Sequence, residues 1–174
     1  ITNNNSSKEL EYVDLFEAYP VDGIILVGTV LTRAHKKKLK ECKVPIVVIG
    51  QYTKETSCVY HDDYGAAKAL AEQVGREASG RVAYIGVTRE DKAAGAARED
   101  GFREGLKEVG KELEESCLRR AKFTMESGYE QAVDLLEKEH DIDIISCATD
   151  TIAAGAIEAI AQYSPERKIQ VTGF

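Results

Sequence analysis

The chain has 174 residues, enough to bury a sizeable core, and its 43% hydrophobic and 30% charged residues exclude a disordered chain. A net charge of −7 excludes a globally basic surface of the kind nucleic-acid binding usually needs, because phosphate neutralisation supplies much of that affinity. No run of about 18 apolar residues suggests a membrane span, and the opening stretch has no apolar signal segment. In chain order, ITNNNSS reads as the exit of a strand, and Ser7–Ala18 as an amphipathic helix with Leu10, Val13 and Phe16 on one face. VDGIILVG (Val21–Gly28) is a nearly unbroken apolar run, which predicts a strand buried on both faces. Thr32–Cys42 predicts a helix, and VPIVVIG (Val44–Gly50) a second buried strand with Pro45 near its start.

That helix carries the one basic run, Arg33, His35, Lys36, Lys37, Lys38 and Lys40. As a patch it would suit DNA or an acidic partner. On an amphipathic helix that buries Leu39 it reads instead as a solvated face. A polar link then leads to a helix over Asp62–Ala78, with Asp62 or Asp63 as its N-cap. Arg81–Val87 predicts a strand, and Asp91–Val109 a long helix stopped at Gly110. A short strand near Cys117–Phe123, a helix over Met125–Glu139 and a strand over Ile142–Thr149 follow. The chain closes with a helix over Thr151–Gln162 and a strand over Lys168–Phe174. This alternation predicts an α/β fold, with parallel sheets covered by helices through right-handed crossovers. Both ends read as cut, the last on a strand with no helix after it.

In open parallel sheets, ligands bind beyond the carboxyl ends of the strands. One such loop, TREDKAAGAAR (Thr88–Arg98), gathers Arg89, Lys92 and Arg98 around a helix start, which suits a hydroxyl-rich or anionic ligand. The alternative is that Asp91 caps the helix and the cations pair with Glu90 and Glu99. Asp150, directly after a strand, either accepts ligand hydroxyls or caps the next helix. Phe123, at a strand exit, either stacks on a ligand or belongs to the core. Catalytic and cofactor motifs are missing: no G-x-S-x-G, H-E-x-x-H, G-x-x-x-x-G-K-[ST] or G-x-G-x-x-G occurs. Cys42, Cys58, Cys117 and Cys147 have no C-x-x-C spacing, so no zinc site is expected, and dispersed thiols favour a reducing cytoplasm. No cofactor is expected.

Several separated stretches together resemble one family. VDGIILVG, VPIVVIG, HDDYGAAKALAEQV, RVAYIGV, AAGAAREDGFREGL, ESGYEQAVDLL, SCATDTIAAGAIEAI and IQVTGF look, in that order, like the effector-binding core of lac/gal-type repressors. GVTREDKAAG and CATDTIAAGA bring it nearest to the regulators of disaccharide operons, of the trehalose or sucrose type. The resemblance implies two Rossmann-like lobes of the periplasmic-binding-protein kind, truncated at both ends, with residues 1–61 in the first lobe and 62–174 in the second. It implies a sugar or sugar-phosphate effector between the lobes, operator binding through a headpiece outside this chain, a cytoplasmic homodimer and no enzymatic activity. By position in the pattern it implies that Arg98 grips effector hydroxyls or phosphate and that Asp150 hydrogen-bonds from the opposite wall. Phe123 matches the stacking position, and Lys92 a second polar contact. A sugar-binding protein of a transport system shares the architecture and is the rival reading. An enzyme on a doubly wound fold lacks a motif to support it.

Overall fold

A computed structural model of the chain describes residues 1–3 and 5–174. It divides into two compact units, Ile1–Asp62 with Asp91–Ala93, and Asp63–Glu90 with Ala94–Phe174.

In the first unit, α1 (Ser6–Ala18) begins at Asn5, whose side chain accepts the Lys8 N–H. The expected strand exit at ITNNNSS includes Asn4, which lies outside the described residues; the Asn5 N–H donates to the Thr2 carbonyl at 3.1 Å. Three parallel strands follow in the order β1 (Ile24–Val27), β2 (Ile46–Ile49) and β3 (Ser57–Val59), with α2 (Arg33–Glu41) between the first two. β3 falls in the stretch read from sequence as a polar link. Its three residues are too few, and too mixed in polarity, to register as a strand run. Val13, Ile24, Leu39, Ile46 and Val48 form the small core.

Two expectations fail here. β1 is not buried on both faces, because Ile25 and Val27 are 72% and 70% exposed. Among the described residues, cover reaches only the side of the strand that Ile24 occupies. Nor is the basic run of α2 wholly solvated. His35 is fully buried, its Nδ1 accepting the Thr32 N–H at 3.3 Å and its Nε2 bonded to buried Glu9 at 3.1 Å. Since the Thr32 N–H can only donate, Nδ1 is the acceptor and Nε2 carries the proton donated to Glu9. Around it, Lys38 pairs with Asp14 and Glu17 of α1, so the charged face of α2 is also its seam with α1.

The second unit has a four-stranded parallel sheet in the order β5-β4-β6-β7. The strands are β4 (Arg81–Gly86), β5 (Leu118–Arg120), β6 (Ile142–Cys147) and β7 (Gln170–Thr172). β4 and β6, the central pair, are buried almost throughout, as a sheet covered on both faces requires. The helices are α3 (Asp63–Glu77), α4 (Arg98–Glu108), α5 (Met125–Lys138) and α6 (Asp150–Tyr163). From β4 the chain steps one way to β5, then back across β4 to β6 and on to β7. Right-handed crossovers therefore put α4 on one face and α5 and α6 on the other. α3 packs on α4, and α5 on α6. Each pair crosses at a glycine: a Cβ on Gly105 would lie 2.2 Å from the Lys68 carbonyl, and one on Gly155 2.1 Å from that of Met125. Phe102, Ile85, Leu106, Leu135, Ile145 and Ile152 are the large, fully buried members of the core between the layers.

The helix expected over Asp91–Val109 is split. Lys92–Ala97 is a π-helical turn, and the α-helix starts only at Arg98. The wider turn seats buried Gly95 on the exit of β4, where a Cβ would come within 1.9 Å of the Thr88 carbonyl oxygen. Gly110, at φ +74°, ends the α-helix as expected.

Candidate functional site

The second sheet reverses its winding at β4, which leads to β5 on one side and lies against β6 on the other. A crevice outside the carboxyl ends of such a strand pair is where doubly wound sheets hold ligands. The chain leaving β4 runs through the π turn to Arg98, and the chain leaving β6 runs through Ala148 and Thr149 to Asp150. Arg98 joins the two exits: its Nη1 donates to the Ala148 carbonyl at 2.6 Å. Its Nε donates to Oδ1 of Asp63, a buried carboxylate, at 2.7 Å. The Phe174 ring, just beyond β7, lies under the guanidinium at 3.9 Å from its centroid. An arginine has five N–H donors, so two are used and three remain along Nη1 and Nη2.

Asp150 does not cap α6. Thr149 does, its hydroxyl accepting the Ile152 N–H at 3.3 Å. A threonine in extended conformation fills this role, which leaves Asp150 at the first helical position with an exposed carboxylate. Gly173 comes so close that a Cβ there would meet Asp150 Oδ1 at 2.1 Å. Arg98 and Asp150 are thus brought to neighbouring strand ends of one sheet. Phe123 is half-buried and packs against the core of the same unit. Lys92 is exposed and belongs to the first unit.

Asp91 and Arg89 of the Thr88–Arg98 loop are engaged in structure. Asp91 is buried and accepts from Gln51 Nε2 at 2.7 Å and from the Ala93 N–H at 3.0 Å, so it does serve the helix start. Arg89 pairs with Glu99 and Asp100. Glu99, buried, also takes both hydrogen bonds from Arg120 at 2.8 and 2.9 Å. The expectation that the loop's cations pair with Glu90 and Glu99 holds in part for Arg89, while Arg98 turns to Asp63. That partnership was not legible in the sequence, where Asp63 reads as a helix cap. Phe174 was also missed, as the last residue of a strand with no pattern to mark it. Beneath the site, burial raises the Tyr84 phenol well above its usual range, against the opposing influence of Arg98. Burial also pushes the Cys147 thiol up to about 12, so it is no nucleophile near neutral pH. Among the described residues no group of three histidine, cysteine or acidic side chains is placed to hold a metal ion.

A separate groove of about 340 Å³ lies in the first unit, lined by α1 and β1 residues such as Tyr12, Phe16, Ile25 and Val27. It is mainly apolar and includes none of the four expected residues.

Residues 1–170 match the family described as periplasmic binding proteins and the sugar-binding domain of the LacI family. The chain belongs to this family. Within the LacI and periplasmic-binding group it is 29% identical over 167 residues to the sucrose operon repressor of Staphylococcus xylosus, covering 96% of this chain and 50% of that protein. The complex of the transcriptional regulator CelR with cellobiose superposes with a TM-score of 0.84 at 24% identity, over 97% of this chain and 53% of that one. A solute-binding protein of an ABC transporter from Burkholderia multivorans reaches the same TM-score at 17% identity, over 98% of this chain and 64% of that one. At those identities the two structures establish the shared fold alone. The chain spans about half the length of the curated LacI-family relatives it matches. The two-lobed α/β architecture of parallel sheets flanked by helices agrees with the family.

Proposed function

We propose that this chain is the effector-sensing core of a sugar-responsive transcriptional repressor. One observation carries the reading most: at the reversal point of the second sheet an arginine with three uncommitted donors lies against the short link that leads from β6 to an exposed aspartate at the start of α6. Donors and an acceptor on adjacent strand ends suit a hydroxyl-rich ligand, whose O–H groups both give and accept hydrogen bonds. The likeness to a sucrose operon repressor points the same way. Arg98 and Asp150 are the principal effector residues in this reading, with Phe123 stacking on the sugar and Lys92 as a further polar contact. Residues 1–61 and 62–174 are its two lobes. The intact protein is a cytoplasmic homodimer without enzymatic activity, and it binds operator DNA through a separate headpiece. Effector binding biases it between operator-bound and released states, a coupling for which about 1–3 kcal/mol suffices.

Calorimetric titration of the full-length protein with sucrose, trehalose, cellobiose and their 6-phosphates tests this. Saturable binding of one of them is expected, abolished by Asp150→Ala with the unfolding midpoint unchanged. Binding unaltered by that substitution removes Asp150 from the site. The likeness to the transporter's solute-binding protein supports a second reading, an exported sugar-binding protein. The segment preceding this chain in the full-length protein decides between them: a helix-turn-helix for the repressor, a secretion signal for the transporter.

A further inference from the structure

Arg98 is held by three parts of the second unit, each from a different stretch of chain. Asp63 at the start of α3 takes Nε, Ala148 after β6 takes one Nη1 hydrogen, and Phe174 after β7 lies under the plane. Of the three, Asp63 alone contributes a charged side chain, and it is 5% exposed. A buried carboxylate needs a partner of its own, and the pair is costly to break from either side. A surface arginine would sample many rotamers and have to lose them on binding. Here the fork is fixed beforehand by a residue below it, while the Nη2 edge has no hydrogen bond among the described residues.

We infer that Asp63 is the positioning residue of the effector site. It does not touch the effector; it fixes the guanidinium of Arg98 so that Nη1 and Nη2 present a preset fork to two acceptor oxygens of the ligand. The group read is a paired-oxygen one, whether neighbouring sugar hydroxyls or a phosphate. This rests on the proposed function, and it adds a residue that the family resemblance did not supply. Fixing one long side chain before binding is worth roughly tenfold in affinity.

The test uses the full-length protein, the sugar or sugar phosphate that binds it, and the monodeoxy analogues of that ligand. Arg98→Lys first identifies the hydroxyl or phosphate that Arg98 reads, as the one whose removal no longer matters in that variant. Asp63→Asn and Asp63→Ala are then expected to weaken the parent ligand about tenfold and to lose most of the discrimination against that same analogue. Asn retains an acceptor in place of the carboxylate, so its discrimination should fall between those of the wild type and Ala. Loss of affinity by one common factor for every analogue, with discrimination kept, would mean that Asp63 supports only the fold, and the inference fails. Wild-type affinity in Asp63→Ala overturns it equally, and leaves the proposed function standing. If the wild type binds no member of the panel, both fall together.

Discussion

Glu17 shows how much a single surface residue can tie together. Lys38 of α2 and the backbone N–H of Lys43 both donate to its carboxylate, and these two hydrogen bonds lower its carboxyl from 4.5 to about 2. A carboxylate depressed in the folded state stabilises it above its ordinary range and loses that contribution as pH falls through the folded value. The unfolding midpoint should therefore decline between about pH 4.5 and pH 2, and Glu17→Gln should lower the midpoint at neutral pH and flatten that part of the decline, so that the two proteins converge near pH 2. Thermal unfolding across that range checks it; parallel curves for the two proteins would mean that the pairing contributes nothing. The same α1–α2 seam explains why His35 was misread from sequence. Its neighbours Lys36, Lys37 and Lys38 give it the look of a solvated residue. Only the position of Glu9, twenty-six residues earlier, turns it inward.

At the scale of the element, the start of α6 separates a structural residue from a functional one that lie side by side. Thr149 closes the helix end, and Asp150 adds no hydrogen bond to it. Thr149→Ala should cost about 1 kcal/mol of stability in denaturant unfolding, the usual value for a lost cap. Asp150→Ala should leave that unfolding curve within a few tenths of a kcal/mol while abolishing the binding proposed for the site. The reverse pattern would reassign the two roles. Sequence alone left the two roles of Asp150 open, because threonine and aspartate both serve as caps and the register of the first turn decides between them. The strand–helix alternation of the second unit was legible because β4 and β6 are apolar nearly throughout. The fork of Arg98 was half legible: the arginine stands in a recognisable motif, whereas Asp63 lies thirty-five residues away and is joined to it only by folding.

For the molecule as a whole, the two units differ in how completely they are covered. The second buries Cys117 and Cys147, and desolvation raises both thiols; the first keeps Cys42 and Cys58 half-exposed, and all four are free. With a thiol reagent at pH 8 the native chain should label at Cys58 and stay unlabelled at Cys117 and Cys147 until denaturant unfolds it, as read by peptide mass spectrometry. Early labelling of Cys147, directly below the Arg98–Ala148 bond, would show that the second sheet opens locally without global unfolding. The expectation of a doubly buried strand failed at β1, since an apolar run reports what a strand tolerates and not how many layers cover it. In the second unit, helices on both faces bury β4 and β6 almost throughout.

The π turn at Lys92–Ala97 gives the molecule a length-counting device. A π turn holds more residues than an α turn for nearly the same climb, so removing one alanine from KAAGAA would restore α-helical spacing. Each residue of an α-helix advances the azimuth by about 100°, and Arg98 follows at once. The direction in which Arg98 leaves its helix is therefore written in the number of residues before it as much as in their identity. A homologue one residue shorter here would keep its arginine in the alignment and aim it elsewhere.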